Sequence, residues 1–317
     1  MQMIVTLTMN PALDKSTRTL TVTPEDKLRC ETLQVEPGGG GVNVSRAIHN
    51  LGGESLMLYT AGGMSGQEFE MLLQAQGLPN QRIPIAGNTR ESFTVFEESS
   101  RHQYRFNMPG PTLAEAEWRQ VLELLAALPQ PDYLVASGSL PPGVPDDFYA
   151  LVAGQMAGTK TRVVIDTSGR ALRTLVQHPA PVYLIKPNLA ELAELAGEDL
   201  NDDEEIVNAA QRIVDESGIQ QIVVSLGAGG VIVVDDQRAA RQRTPTVPIR
   251  SKIGAGDSTV AGIVLGLARG LPGAEAIRFG VAAGAAAVMT PGSELCRRAD
   301  AERLFDLMQR NHVLEYL

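Results

Sequence analysis

Of 317 residues, 44% are hydrophobic and 4% aromatic, which suffices for one large core or two smaller ones but gives too few rings for a base-stacking platform. A formal net charge of −10 excludes a general nucleic-acid or membrane-surface binder, so an anionic ligand would need a local cluster of Lys and Arg. The two cysteines, Cys30 and Cys296, are too few for a disulfide framework or a metal knuckle and fit a reduced compartment.

In chain order, residues 1–8 form a strand-like run that soon meets Asp14 and Lys15. The run lacks a basic leader and a long apolar stretch, so no signal peptide is expected. No segment reaches the ~18 apolar residues of a membrane span, and a cytoplasmic location is expected. Residues 17–23 and 92–96 alternate polar with apolar, the pattern of half-exposed antiparallel strands. They predict one small β lid.

Between them, Pro37-Gly38-Gly39-Gly40-Gly41-Val42-Asn43 opens a helix with four glycines. A glycine lets a ligand approach the backbone closely. The Asn43 amide offers two donors and an acceptor that can grip sugar hydroxyls.

Four continuous apolar runs follow, at 133–136, 163–165, 182–185 and 222–224. Continuity predicts parallel strands buried on both faces. Helical segments at 115–128, 148–157, 189–196 and 204–217 separate them, so a doubly wound α/β sheet is expected. The runs end in Ser137-Gly138-Ser139, Asp166-Thr167-Ser168-Gly169, Lys186-Pro187-Asn188 and Ser225-Leu226-Gly227-Ala228-Gly229-Gly230. Ligands bind beyond such carboxyl ends, so the four ends predict one crevice.

Ile253-Gly254-Ala255-Gly256-Asp257-Ser258 then leads into an apolar helix. The turn and the helix N-terminus together make an anion hole. Asp257 sits at its mouth, where a carboxylate can take a proton from a substrate hydroxyl. Residues 257–269, 274–290 and 301–311 read as helices. No P-loop, dinucleotide fingerprint, zinc-protease motif or nucleophile elbow is present, and His49, His102, His178 and His312 show no metal-ligand spacing.

The glycine-rich opening and Gly254-Ala255-Gly256-Asp257 together resemble the ribokinase-like carbohydrate kinases, the PfkB family, and the resemblance extends over nearly the whole chain. It implies a three-layer α/β/α fold with a mostly parallel central sheet and a small β-sheet lid. One kinase domain would span 1–317, with lid segments near 15–36 and 88–108. The implied cofactors are ATP and Mg²⁺. Asn10-Pro11-Ala12-Leu13-Asp14 resembles the family's opening strand and its hydroxyl-binding carboxylate, Asp14, with Gly38, Gly39 and Asn43 also on the sugar. Lys186, Asn188, Ser225, Gly227, Gly230, Val281 and Ala285 would contact ATP. Asn188 and Glu191, one helical turn apart, would serve Mg²⁺ through water. Ser251, Ile253, Ala287, Thr290 and Gly292 match a region where some members bind a monovalent cation, which makes K⁺ a further expectation. Lys252, Ile253 and Glu294 depart from relatives there, a change that a backbone-carbonyl site tolerates.

Glu25-Asp26-Lys27-Leu28-Arg29-Cys30, Tyr104-Arg105-Phe106-Asn107 and Ser137-Gly138-Ser139-Leu140-Pro141 narrow the resemblance to the family's phosphosugar kinases. This implies transfer from ATP to the C1 hydroxyl of fructose 6-phosphate, with fructose 1-phosphate or tagatose 6-phosphate as alternative acceptors. Arg90 and Arg105 in the lid would fork onto the sugar phosphate, with Ser139 adding a hydroxyl. Lys27 and Arg29 would reach into a site, that of a neighbouring subunit included, and a homodimer through the lid is expected. Asp257 would be the base. The N–H groups of Gly254, Ala255 and Gly256, with Lys27, would stabilise the transferring group. A catalytically silent sugar-phosphate sensor is the alternative of another class; a sensor needs no base.

Overall fold

The computed structural model describes residues 2–311 and 315–317; Met1 of the expected opening strand and His312 lie outside them. The first half runs β1 (Ile4–Thr8), β2 (Ala12–Thr19), β3 (Gln34–Gly38), α1 (Gly40–Asn50), β4 (Leu56–Ala61), α2 (Gly63–Ala75), β5 (Asn80–Pro84), β6 (Arg90–Glu97), β7 (Gln103–Asn107), α3 (Glu115–Ala127), β8 (Tyr133–Ser137) and α4 (Phe148–Gln155). The second half runs β9 (Arg162–Asp166), α5 (Gly169–Gln177), β10 (Leu184–Ile185), α6 (Leu189–Ala196), α7 (Asp203–Ser217), β11 (Gln221–Ser225), β12 (Val231–Asp235), β13 (Ala239–Gln242), α8 (Ala255–Ala268), α9 (Gly273–Val288), α10 (Arg298–Asn311) and β14 (Glu315–Tyr316).

The main sheet has the order β14-β13-β12-β11-β10-β9-β8-β1-β4-β5. From β11 to β5 every neighbour is parallel, and β12 to β14 add an antiparallel edge. The continuous apolar runs fit because both faces of these strands are covered. On β8, Leu134 and Ala136 join a core with Trp118 of α3, Phe148 of α4 and Ile206 of α7. Tyr133 and Val135 face the opposite core, with Ile48 of α1, Val264 of α8 and Ala282 of α9. The result is the expected three-layer α/β/α sandwich. Helices α2 and α5 are additional to the sequence reading. No helix among the described residues is long and apolar enough to cross a membrane.

The second sheet has the order β3-β2-β6-β7. Its two hairpins are antiparallel, as the alternation predicts, but its central pair, β2 with β6, is parallel. Alternation reports half exposure and carries no information about a neighbour's direction. The chain passes through α1, β4, α2 and β5 before β6 returns, so direction is set by that crossover. β2 also stops at Thr19, short of the expected 23, and Leu20 is 71% exposed. The segment after it lies beside β2, where Thr17 and Thr19 hydroxyls donate to the Glu31 and Arg29 carbonyls.

Candidate active site

The carboxyl ends of β1, β8, β9, β10 and β11 meet the N-termini of α1 and α8 along one rim, and the small sheet rises from it. Gly254 starts α8 with φ +72°, and a Cβ there would collide with the Leu295 side chain. Asp257 therefore falls in the first turn of α8, where the helix field favours a negative charge. Asn43, in the first turns of α1, donates its side-chain N–H to Asp257 Oδ2 at 2.9 Å. Burial raises the Asp257 pKa to about 7; the Asp166 charge adds to this, while the Asn43 hydrogen bond and Lys186 oppose it. A carboxyl poised there is matched to proton transfer near neutral pH.

Lys186 follows β10 and is buried, with its Nζ 3.2 Å from Asp166 Oδ1. Burial works against its charge, but Asp166 and Asp257 hold its pKa above the ordinary lysine value. On the lid side, Asp14 of β2 has its pKa pushed to about 6 by burial, against the pull of Arg90, Arg105 and Arg46. Gly38 on the paired strand β3 touches this carboxylate so closely that any Cβ would collide with it.

Arg90 Nε and Nη2 both donate to the Asn10 carbonyl, at 3.2 and 3.1 Å. Ser139 Oγ, just past β8, accepts from Asn10 Nδ2 at 3.1 Å. Arg105 on β7 is exposed and stands level with Thr94 and Ser16, one pleat from Asp14. It helps line a cleft of about 1180 Å³ between the lid face, with Asp14, Ser16 and Thr94, and the loops carrying Ile253 and Ser293.

The residues assigned to the nucleotide gather at the neighbouring strand ends, where Asn188 and Ser225 form a parallel bridge and Gly227 and Gly230 follow β11. Asn188 and Glu191 form a capping box: Asn188 Oδ1 accepts from the Glu191 N–H at 2.9 Å, and Glu191 Oε2 from the Asn188 N–H at 2.8 Å. Val281 and Ala285 are buried in the core. The small residues around them also serve packing, since a Cβ on Gly284 would meet Thr259 of α8.

No group of three acidic, histidine or cysteine side chains among the described residues is placed to cage a metal. The Asp166 and Glu191 carboxylates, both acting on Lys186, instead suit a Mg²⁺ that arrives on phosphates and keeps several waters. The residues assigned to K⁺ also come together. Ser251 N–H donates to the Val288 carbonyl at 3.3 Å, and Thr290 Oγ1 donates to the Ala287 and Leu295 carbonyls at 2.7 and 3.0 Å.

Lys27 and Arg29 stand apart. Both lie on the exposed segment after β2, where the Arg29 carbonyl meets Thr19, five residues along the strand from Asp14, or roughly 16–17 Å. Sequence reasoning gave no role to Asp166, Arg46 or Glu36. Asp166 had a usable signal in its place directly after an apolar run. Arg46 lies three residues after Asn43 on α1; its buried guanidinium holds Glu36 at 2.9 Å and the Pro37 carbonyl at 3.1 Å.

A near-neutral carboxyl in a helix's first turn, a buried lysine beside it and cations across a cleft make a site suited to phosphoryl transfer onto a hydroxyl. Residues 3–300 match the pfkB family of carbohydrate kinases, and the chain belongs to that family. It is 44% identical over 307 residues to the ATP-dependent 6-phosphofructokinase isozyme 2 of Mycobacterium tuberculosis, covering 96% of this chain and 89% of that protein. Identity to the Escherichia coli K12 protein of the same name is 38% over 307 residues, covering 97% and 99%. Identity to the 1-phosphofructokinase of Borreliella burgdorferi is 32%, covering 95% and 96%. The crystal structure of E. coli phosphofructokinase-2 in complex with potassium superposes with a TM-score of 0.92, covering 98% of this chain and 100% of that one. Its complex with fructose-6-phosphate gives 0.90 with the same coverage.

Proposed function

We propose that this kinase transfers the γ-phosphoryl group of ATP to the C1 hydroxyl of fructose 6-phosphate, giving fructose 1,6-bisphosphate. The observation that carries the reading is the near-neutral Asp257 carboxyl, held by Asn43 and acted on by the buried Lys186, with Asp14 and Arg105 on the lid side of the cleft and Arg90 acting on Asp14. Support also comes from the names of the relatives: identity falls from 44% and 38% for 6-phosphofructokinases to 32% for the 1-phosphofructokinase.

In this reading Asp14 and Asn43 orient the sugar, with the backbone of Gly38 and Gly39 beside it. Arg90, Arg105 and Ser139 hold the phosphate already present. Asp257 accepts the C1 hydroxyl proton as that oxygen bonds to the γ-phosphorus and the bond to the β-phosphate oxygen breaks. The N–H groups from Gly254 to Asp257, with Lys186, face the charge on the transferring group. When bound, Mg²⁺ neutralises phosphate charge, with Asp166, Asn188 and Glu191 around its waters. ATP lies along Lys186, Asn188, Ser225, Gly227 and Gly230, with Val281 and Ala285 beside its base. K⁺ is a further ligand in this reading, at the carbonyls near Ser251, Ile253, Ala287, Thr290 and Gly292. The location we propose is the cytoplasm, where ATP is the donor.

Two copies would pair through the lid, whose Phe106 and Met108 are 52% and 44% exposed. That pairing would give the outlying Lys27 and Arg29 a site to reach. The test is Mg²⁺-dependent ADP release, compared by kcat/KM for fructose 6-phosphate, fructose 1-phosphate and tagatose 6-phosphate. A clear preference for fructose 6-phosphate is expected. Preference for another acceptor would move the substrate assignment, and ligand binding without ADP release would make the chain a sensor.

A further inference from the structure

Asn10 lies between β1 and β2 and is assigned no contact with either substrate, yet two groups of the phosphate subsite rest on it. Its Nδ2 donates to Ser139 Oγ at 3.1 Å, and its carbonyl accepts two N–H groups of the Arg90 guanidinium. The backbone that presents them is held on both sides. Thr60 Oγ1 donates to the preceding Met9 carbonyl at 2.7 Å, and Pro11 restricts Asn10 to extended conformations.

The side chain is 7% exposed, and its Oδ1 is buried with no hydrogen-bond partner against Gly110. Gly110 ends the same segment whose Met108 carbonyl accepts from Arg90 Nη1 at 3.4 Å. A buried acceptor without a partner opposes folding, so stability alone does not favour an amide here. Its donor half, by contrast, fixes the hydroxyl of Ser139. A serine hydroxyl that accepts from Asn10 has its own hydrogen left to give to an anion.

We propose that Asn10 is a positioning residue for the phosphate of the acceptor sugar, orienting Ser139 through its amide and Arg90 through its carbonyl. The inference rests on the phosphosugar-kinase reading above.

The test is a double-mutant cycle of Asn10→Ala and Ser139→Ala, reading KM for the sugar phosphate, KM for ATP, kcat and Tm. Asn10→Ala is expected to raise the sugar-phosphate KM by about five- to tenfold, the scale of one hydrogen bond, with kcat and the ATP KM within about twofold. The double variant should do no more than the worse single one, because both remove the same interaction. Asn10→Asp keeps the shape, loses the donor and adds a negative charge near the phosphate, so its KM should rise further. Tm of Asn10→Ala should fall by no more than about 2–3 °C, since the lost oxygen had no partner and only the one hydrogen bond to Ser139 is removed. Multiplicative effects, or a Tm drop of several degrees with KM unchanged, would overturn the proposal and leave Asn10 a packing residue.

The cycle is run with the phosphosugar that the wild type prefers. If the wild type turns over none, the functional reading fails by itself. Calorimetric binding of inorganic phosphate then decides the inference. Binding should weaken by a similar factor in both single variants, and unchanged binding in Asn10→Ala would overturn it.

Discussion

Replacing Asp257 by Asn should move activity and stability in opposite directions. The amide keeps an oxygen for the Asn43 N–H and removes the charge and the base. Loss of one general base lowers kcat by about 10²- to 10⁴-fold, with a smaller change in KM. The wild-type acid limb should rise through about pH 7, where the carboxyl ionises, and the variant's residual rate should lack that limb.

The stability effect follows from the same shift. The folded pKa of about 7 lies above the ordinary 3.8, so the carboxyl's contribution is fully present below about pH 4 and lost as pH rises through 7. Three units at about 1.4 kcal/mol each set an upper bound of about 4 kcal/mol, and the partial exposure of the residue reduces it to about 1–2 kcal/mol. The amide that replaces the acid never carries this buried charge. Without ligands, Asp257→Asn should therefore melt about 2–4 °C above the wild type at pH 8, with the gap closing by pH 4.5. Asp14 is present in both proteins and is the smallest of the influences on Asp257, so its own titration changes the gap little. Coupled ADP release and melting scans at fixed rate from pH 4.5 to 8 provide the assay. A near-normal kcat would remove Asp257 from the chemistry. A stability gap that does not change with pH would refute the buried-charge argument.

Arg105→Ala should raise the sugar-phosphate KM by about 10- to 100-fold, the scale of one charge-assisted pair, with kcat changed far less; an unchanged KM would take Arg105 out of the phosphate subsite. Gly38→Ala places a methyl group against the Asp14 carboxylate, so it should cost about 1–3 kcal/mol by denaturant titration and weaken sugar binding. An unaltered midpoint and KM would mean that Asp14 moves aside freely. Lys186→Met removes a charge that holds the Asp257 pKa down, so the acid limb of kcat/KM should move to higher pH while the ATP KM rises. A limb that stays in place would show that Lys186 does not act on the base.

The local features of this protein were legible because short segments encode them. Glycines mark Gly254 and Gly38 as close-approach points, continuous apolar runs mark strands covered on both faces, and the polar residues ending those runs mark the rim. Asp257 was legible as a candidate base from the glycine turn before it together with the family resemblance, since the six residues alone fit a helix N-cap equally well. Its setting was not. The Asn43 hydrogen bond spans 214 positions, and the raised pKa comes from burial together with Asp166, against the opposing pull of Lys186 from another strand end. The parallel pairing of β2 with β6 was hidden because a period of two reports exposure and leaves strand direction open. The capping box at Asn188 was hidden by the similarity of a helix start to a metal ligand pair. Asn10 drew notice only as part of a motif, since its neighbours at Ser139 and Arg90 are 129 and 80 positions away. Sequence thus determined which segments turn, bury or carry charge, because those depend on a few adjacent residues. Tertiary structure alone decided which charges meet and at what pKa, because desolvation and Coulomb energy depend on groups that only folding brings within a few ångströms of each other.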